Sequence, residues 1–271
     1  SYPPIVNKFG QKAMVSQNRN VQYFKKPTYL LPVIHAQAAS ILKKEGHEVI
    51  WDDGNAEEKT YQDWLNDLSN ISPDVVILES TTPVMNFMWK CADDIKSLLG
   101  MNVIVIMTGY HSMRMPQETL LKSSVDVVLK STHIDFALKN FINYLNDNSN
   151  TNWREVCNIE GLLIRVKDDQ FRDTGSFKLI ENLNSSEIID RDLVQWENYA
   201  YENGNFLQTP GTYATSVIRD CTFGKCTFCR YNGPDLSFSS MNVIKSVDEY
   251  EELINNYNVK EIFDDSGVWF K

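Results

Sequence analysis

Apolar positions along the first 150 residues follow two spacings in turn. Residues 29–45 (YLLPVIHAQAASILKKE) repeat apolar side chains at helical intervals and stop at Gly46, which suits the residue just past a helix end. His47–Trp51 (HEVIW) predicts a short strand, closed by Asp52 and Asp53. A second helix is expected over residues 60–70, and Ser72-Pro73 leads into a buried strand over Asp74–Leu78 (DVVIL). Residues 83–99 predict a helix ending at Gly100. Asn102–Met107 (NVIVIM) is a continuous apolar run, as in parallel strands covered on both faces. A helix over 116–123, a strand over Val125–Leu129 and an amphipathic helix over 134–147 complete the series. This alternation predicts an α/β fold on an open, doubly wound parallel sheet. Such a sheet opens with a strand, whereas Ser1-Tyr2-Pro3-Pro4 reads as the loop after one, so a first strand is expected to precede this sequence.

Asp147–Thr151 (DNSNT) is a polar break that sets a first domain at residues 1–150. Beyond it, strands over Leu162–Val166 and Phe177–Ile180, separated by DDQFRDTG, predict a hairpin. Residues 182–212 are irregular and rich in Asn, Tyr and Glu, so 151–210 reads as a linker with a hairpin that packs between domains. Thr212–Arg219 (TYATSVIR) predicts a strand running straight into three cysteines. A helix over 247–257 is expected next, with Ser246 as N-cap and Glu249 completing a capping box. Lys260–Phe263 predicts another strand, ending in Asp264-Asp265. Residues 211–271 thus form the beginning of a second α/β domain. A single β–α–β unit cannot close a barrel, so more of that domain is expected beyond residue 271.

Composition narrows the classes. With 271 residues, 42% of them hydrophobic, the chain can bury one or two cores. The formal net charge of −10 excludes a strongly basic nucleic-acid footprint across the whole chain. No apolar run approaches the roughly 18 residues of a membrane span, and no signal peptide is found. Free cysteines without a secretion signal point to a reducing, cytoplasmic setting. A Gly-rich dinucleotide fingerprint is absent, which argues against NAD or FAD.

Five cysteines are present, and Cys221, Cys226 and Cys229 fall in one short loop. Cys91 and Cys157 stand alone and read as small buried hydrophobes. Three thiolates can hold three irons of a [4Fe–4S] cubane and leave the fourth iron open for a substrate or cofactor. Structural zinc would need a fourth ligand, and the nearest preceding histidine is His133. A redox pair at Cys226 and Cys229 would leave Cys221 without a role. The cluster accounts for all three residues; zinc completed from elsewhere and dithiol chemistry stay open as alternatives.

A strand followed by a three-cysteine loop, with Phe228 just before the last cysteine, resembles the radical S-adenosylmethionine (SAM) superfamily. The commonest pattern has three residues between the first two cysteines; here Thr222–Lys225 make four, and Gly224 can absorb the extra one. The resemblance extends upstream. Leu31 to Val49, ending Gly46-His-Glu-Val, looks like the first helix and second strand entry of cobalamin-binding domains in this class. Ser80-Thr81-Thr82 and Gly109-Tyr110-His111-Ser112 are similar to its strand-ending loops, with Thr108 where the family has a first Gly. Ile188 to Leu193 followed by Tyr199 resembles its interdomain "Pro-x-Arg-Asp-Leu…Tyr" segment.

The resemblance implies a Rossmann-like cobalamin-binding domain followed by the start of a partial (β/α)6 radical SAM barrel. It implies three cofactors: a [4Fe–4S] cluster on Cys221, Cys226 and Cys229; SAM near Phe228, Asp264 and Asp265; and cobalamin against Ser80, Thr81, Thr82, Gly109, Tyr110, His111 and Ser131. His111 would touch the nucleotide tail, since the Asp-x-His-x-x-Gly of His-ligated corrinoid proteins is missing. Where the family usually has Gly-Glu, this sequence has Lys130-Ser131-Thr132-His133. The implied reaction is methyl transfer to an unactivated carbon or phosphorus centre; a radical rearrangement or cyclisation, or a non-catalytic Fe–S/corrinoid sensor, are the alternatives. The implied partners are a small-molecule or peptide substrate and an external electron donor such as flavodoxin or ferredoxin, with no nucleic acid and no membrane.

Overall fold

A computed structural model describes residues 1–15, 21–148, 152–177, 183–201, 206–215, 217–229, 238–264 and 266. It opens with an antiparallel hairpin, β1 (Lys12–Val15) and β2 (Val21–Phe24). Helix α1 (Val33–Lys44) and α2 (Tyr61–Ile71) follow, then β3 (Val75–Glu79), α3 (Met85–Leu99) and β4 (Ile104–Thr108). Two short helices, α4 (Tyr110–Arg114) and α5 (Pro116–Lys122), lead to β5 (Val127–Leu129) and α6 (Ile134–Asp147). A hairpin of β6 (Leu162–Lys167) and β7 (Gln170–Asp173) comes next. After an irregular stretch come β8 (Gly211–Tyr213), β9 (Ile218–Arg219), β10 (Ser239–Ser240), α7 (Val243–Tyr257) and β11 (Glu261–Phe263).

The chain divides into two compact units, Ser1–Pro27 with Asp52–Ser131 and Asn143–Phe177, and Thr28–Trp51 with Thr132–Ile142 and Lys178–Lys271. In the first, five strands run in the order β3-β4-β5-β6-β7. β3, β4 and β5 are parallel, and β6 joins β5 antiparallel. Every residue of β4 is buried, which is why its sequence lacks polar alternation. Trp64 and Leu68 from α2 and Met88, Cys91, Ala92 and Ile95 from α3 form the core with Val76, Leu78, Val105 and Met107. At the far edge of β3, Ser1 N lies 2.7 Å from Ile77 O, and Tyr2 bridges Asp53 in parallel. The chain start therefore lies between β3 and residues 52–54.

The helix ends follow the sequence. Gly46 (φ +94°) donates to Lys43 O, and Gly100 (φ +88°) closes α3. Thr60 and Asp63 form a reciprocal capping box on α2.

Four expectations are corrected. His47–Trp51 is not a strand: among the described residues the only ladder contact nearby is the single Tyr2–Asp53 bridge, and one partner residue cannot sustain a strand. The hairpin's second strand is β7, inside the expected turn. Lys167 pairs with Gln170 around Asp168-Asp169, and Asp168 takes the left-handed conformation (φ +39°) that tight hairpins need. Residues 178–180 of the expected strand lie outside the described residues. The strand expected over Thr212–Arg219 is two: β8 pairs with β11 in parallel, and β9 pairs with β10 antiparallel. Helix α7 begins earlier than expected, capped by Asn242, whose side chain accepts from Ile244 N at 2.8 Å. Ser246 and Glu249 are thus inside the helix, and Glu249 is needed elsewhere.

The lone cysteines divide. Cys91 is fully buried, and burial pushes its thiol up to about 12. Cys157 is exposed, because it lies in a loop after a short turn rather than on an apolar face. Iodoacetamide labelling of the native protein should therefore modify Cys157 and spare Cys91, read by peptide mass spectrometry. Labelling of both at equal rates would contradict this packing. Among the described residues, no helix is long and apolar enough to cross a membrane.

Candidate cofactor sites

The first unit gathers small residues at the carboxyl ends of β3 and β4, where ligands enter α/β sheets. Ser80 is fully buried; its hydroxyl donates to Thr108 O (2.7 Å) and lies 2.6 Å from Ser112 Oγ. It shapes the crevice from below. Gly109 takes φ +92° and ψ 172°, a region open only to glycine. A Cβ there would fall 2.3 Å from Ser80 O, so the missing side chain lets two loops touch. Thr81 and Ser131 are also buried.

Thr82, Tyr110 and His111 lie in the segments that follow the same strand ends. Thr82 is exposed and the other two are half-buried. Thr82 Oγ1 lies 3.1 Å from His111 Nδ1, and His111 Nε2 lies 3.5 Å from Glu118 Oε2. The ring meets Trp89 edge-on at 6.1 Å. Lys122, and secondarily His111, hold the Glu118 carboxyl below the usual range. His111 is thus held by a hydroxyl, a carboxylate and an indole, with its Nε2 buried.

In the second unit, β8, α7 and β11 form a parallel β–α–β motif, with Glu261–Phe263 in register with Gly211–Tyr213. The cysteine loop leaves β9 through Asp220, a left-handed residue (φ +61°), and turns again at Gly224 (φ +54°). Cys221, Cys226 and Cys229 are partly exposed and outside any disulfide. Cys229 N donates to Cys226 O at 3.0 Å, which closes the Thr227-Phe228 turn. Phe228 is 91% exposed. Among the described residues no three His, Cys, Asp or Glu side chains are drawn together as metal ligands. The donor set nevertheless fits an iron–sulfur cluster: three soft thiols on one glycine-containing loop, none in a disulfide. Asp264 follows β11. Its Oδ1 accepts from Ser266 N (2.7 Å) and its Oδ2 from Tyr250 (3.3 Å), while Asp265 lies outside the described residues. Burial, with Asp264 adjoining, pushes the Tyr250 hydroxyl up to about 12.

Sequence reasoning missed the buried network behind this loop. Arg219 makes a two-pronged pair with Asp135 (2.6 and 2.9 Å) and a bond to Gln37 Oε1 (2.7 Å). Gln37 in turn donates to Ser186 Oγ (3.0 Å), which reaches Asp135 Oδ2 (3.2 Å). Burial alone would raise the Asp135 carboxyl, but the Arg219 charge outweighs it and holds it low. The available signal was an Arg-Asp pair ending an apolar run, Ser216-Val-Ile-Arg219-Asp220.

No family model matches the chain. It is 28% identical over 236 residues to an uncharacterized methyltransferase of Pyrococcus horikoshii, covering 85% of this chain and 47% of that protein. The chain thus spans about half the length of the curated relative it matches. Among solved structures it is similar to the radical SAM methyltransferase TsrM from Kitasatospora setae, with tryptophan substrate and a SAM analogue bound. That match has a TM-score of 0.63 at 14% identity, over 86% of this chain and 44% of the other. It is also similar to the cobalamin-dependent radical SAM enzyme OxsB with aqua-cobalamin and SAM bound, with a TM-score of 0.65 at 16% identity over 88% and 32%. A second TsrM structure, with cobalamin and a [4Fe–4S] cluster bound, matches with a TM-score of 0.61. Over these stretches the fold is similar to that of TsrM and OxsB.

Proposed function

We propose that this chain carries the corrinoid- and cluster-binding parts of a cobalamin-dependent radical SAM methyltransferase. The observation that carries the reading is the three-cysteine loop beside a parallel β–α–β motif, in a chain whose fold matches TsrM and OxsB. The curated relative, itself called a methyltransferase, favours methyl transfer over rearrangement or sensing. Cys221, Cys226 and Cys229 would hold the cluster through thiolates. Phe228 would lie over its open side, and Asp264 would receive the SAM ammonium. Thr82, Tyr110 and His111 would meet the corrinoid's polar rim or tail, with Gly109 and Ser80 setting the crevice floor.

When bound, the cluster and SAM would supply radical chemistry, and the corrinoid would supply a methyl group. This chain's residues would orient those groups. The substrate is proposed to be a small molecule or peptide, with a flavodoxin or ferredoxin as electron donor.

Anaerobic reconstitution of wild type and of a Cys221→Ala/Cys226→Ala/Cys229→Ala variant tests the reading, with iron, sulfide and cobalt counted beside the visible spectrum. Wild type should hold about four irons and the variant essentially none, with corrinoid retained in both. Iron uptake without corrinoid would remove the cobalamin half. Equal iron in both proteins would remove the cluster.

A further inference from the structure

The segment after β5, Lys130-Ser131-Thr132-His133, departs from the pattern that the resemblance leads one to expect, and the proposed function gives its last two residues no task. Their neighbours in the second unit do. The two residues directly ahead of Cys221 both reach into residues 132–135. Arg219 is 4% exposed and pairs with Asp135 through both guanidinium nitrogens. Asp220 is 7% exposed; its Oδ2 accepts from Thr132 Oγ1 at 2.9 Å and lies 3.7 Å from Nε2 of the buried His133.

Asp220 also holds φ +61°, which only glycine adopts freely and which Asp and Asn tolerate best among the rest. That conformation turns the chain out of β9 and fixes the direction in which Cys221 leaves. A strained residue persists where its surroundings over-determine it, and here the carboxylate's bond to Thr132, beside the ring of the buried His133, does so. Arg219 secures the strand, and Asp220 sets the exit.

We infer that Thr132, acting through Asp220, is a positioning residue for Cys221, so that residues 132–135 template the start of the metal-binding loop. The inference rests on the proposed cluster for its purpose, but its geometry is testable without iron. In the metal-free 271-residue chain, alkylation of Cys221, Cys226 and Cys229 by iodoacetamide is followed separately by mass spectrometry. Thr132→Val deletes the donor, and Asp220→Gly keeps the left-handed backbone while deleting the carboxylate.

Both variants should speed alkylation of partly buried Cys221 roughly tenfold relative to Cys226 and Cys229, the scale set by losing one hydrogen bond to a charged group. Thr132→Ser, which keeps the hydroxyl, should restore the wild-type ratio. Protection of Cys91 and an unchanged circular dichroism spectrum report that each variant is folded. If one variant fails that control, the other decides. A wild-type Cys221 ratio in a folded Thr132→Val or Asp220→Gly protein overturns the inference. Reconstitution of the same proteins separates the two ideas: iron falling in both variants with all three cysteines intact supports positioning of a cluster. Wild type that takes up no iron overturns the cluster reading even where the alkylation ratios shift as expected.

Discussion

Arg191→Ala should cost about 3–5 kcal/mol, the range for stripping one partner from a buried ion pair. Arg191 is 1% exposed; Nη1 donates to Thr212 Oγ1 (3.0 Å) and Nη2 to Glu249 Oε1 (2.8 Å). Glu249 is fully buried on α7 and also accepts from Thr215 N (2.9 Å) and Thr215 Oγ1 (2.6 Å). One guanidinium thus ties the irregular stretch to β8 and α7, the strand before β9 and the helix after β10. Alanine would leave a carboxylate in the interior with neutral donors only. Replacing both partners, Arg191→Met with Glu249→Gln, should recover most of the loss, because no charge is then stranded. Urea unfolding together with hydrogen exchange over β8 and α7 reads the outcome. An Arg191→Ala protein with wild-type midpoint and protection would show that the Glu249 charge is compensated by other means.

The second large effect is at Gly109, and the molecule supplies its own control. Gly100 and Gly109 have nearly the same backbone, φ +88° with ψ 176° and φ +92° with ψ 172°. A Cβ at Gly100 meets nothing within 4 Å, whereas one at Gly109 falls 2.3 Å from Ser80 O and 2.7 Å from Ser80 N. Alanine at Gly100 should cost only the backbone strain, about 1–3 kcal/mol. Alanine at Gly109 should cost that and about 1–3 kcal/mol more, because backbone atoms must part. If the proposed corrinoid site lies here, it should also lower corrinoid uptake. Equal midpoints for the two variants in urea would show that the β3 and β4 loops separate freely.

The central strands and most helices were legible because burial on two faces, or on one stripe, imposes a period on the chain. Val75–Glu79, Ile104–Thr108 and α2, α3 and α6 follow that period closely. The place of the three cysteines in a loop after a strand was legible because the apolar run ahead of them, Val217-Ile218, marks β9. His47–Trp51 was misread because a strand depends on its partner, which no local pattern contains. Glu249 was misread because an acid three residues after a serine suits a helix start as well as a helix interior; only the distant Arg191 distinguishes them. The Arg219–Asp135 pair and the Thr132–Asp220 bond join residues more than eighty positions apart, and periodicity carries no trace of them. The grouping of α1 with the C-terminal residues is equally invisible along the chain.

The antiparallel hairpin after β5 has a consequence for how this protein behaves at high concentration. Among the described residues β7 is the last strand of its sheet, so its outer backbone groups could template another molecule. It is four residues long, reads Gln-Phe-Arg-Asp, and faces a bulge between Arg165 and Lys167 on its neighbour. Asp173 is tied sideways to Lys130 by an ion pair. A short, charged and locally twisted margin offers a poor seat for intermolecular ladders. The margin that ends the sheet therefore also discourages fibrous self-association.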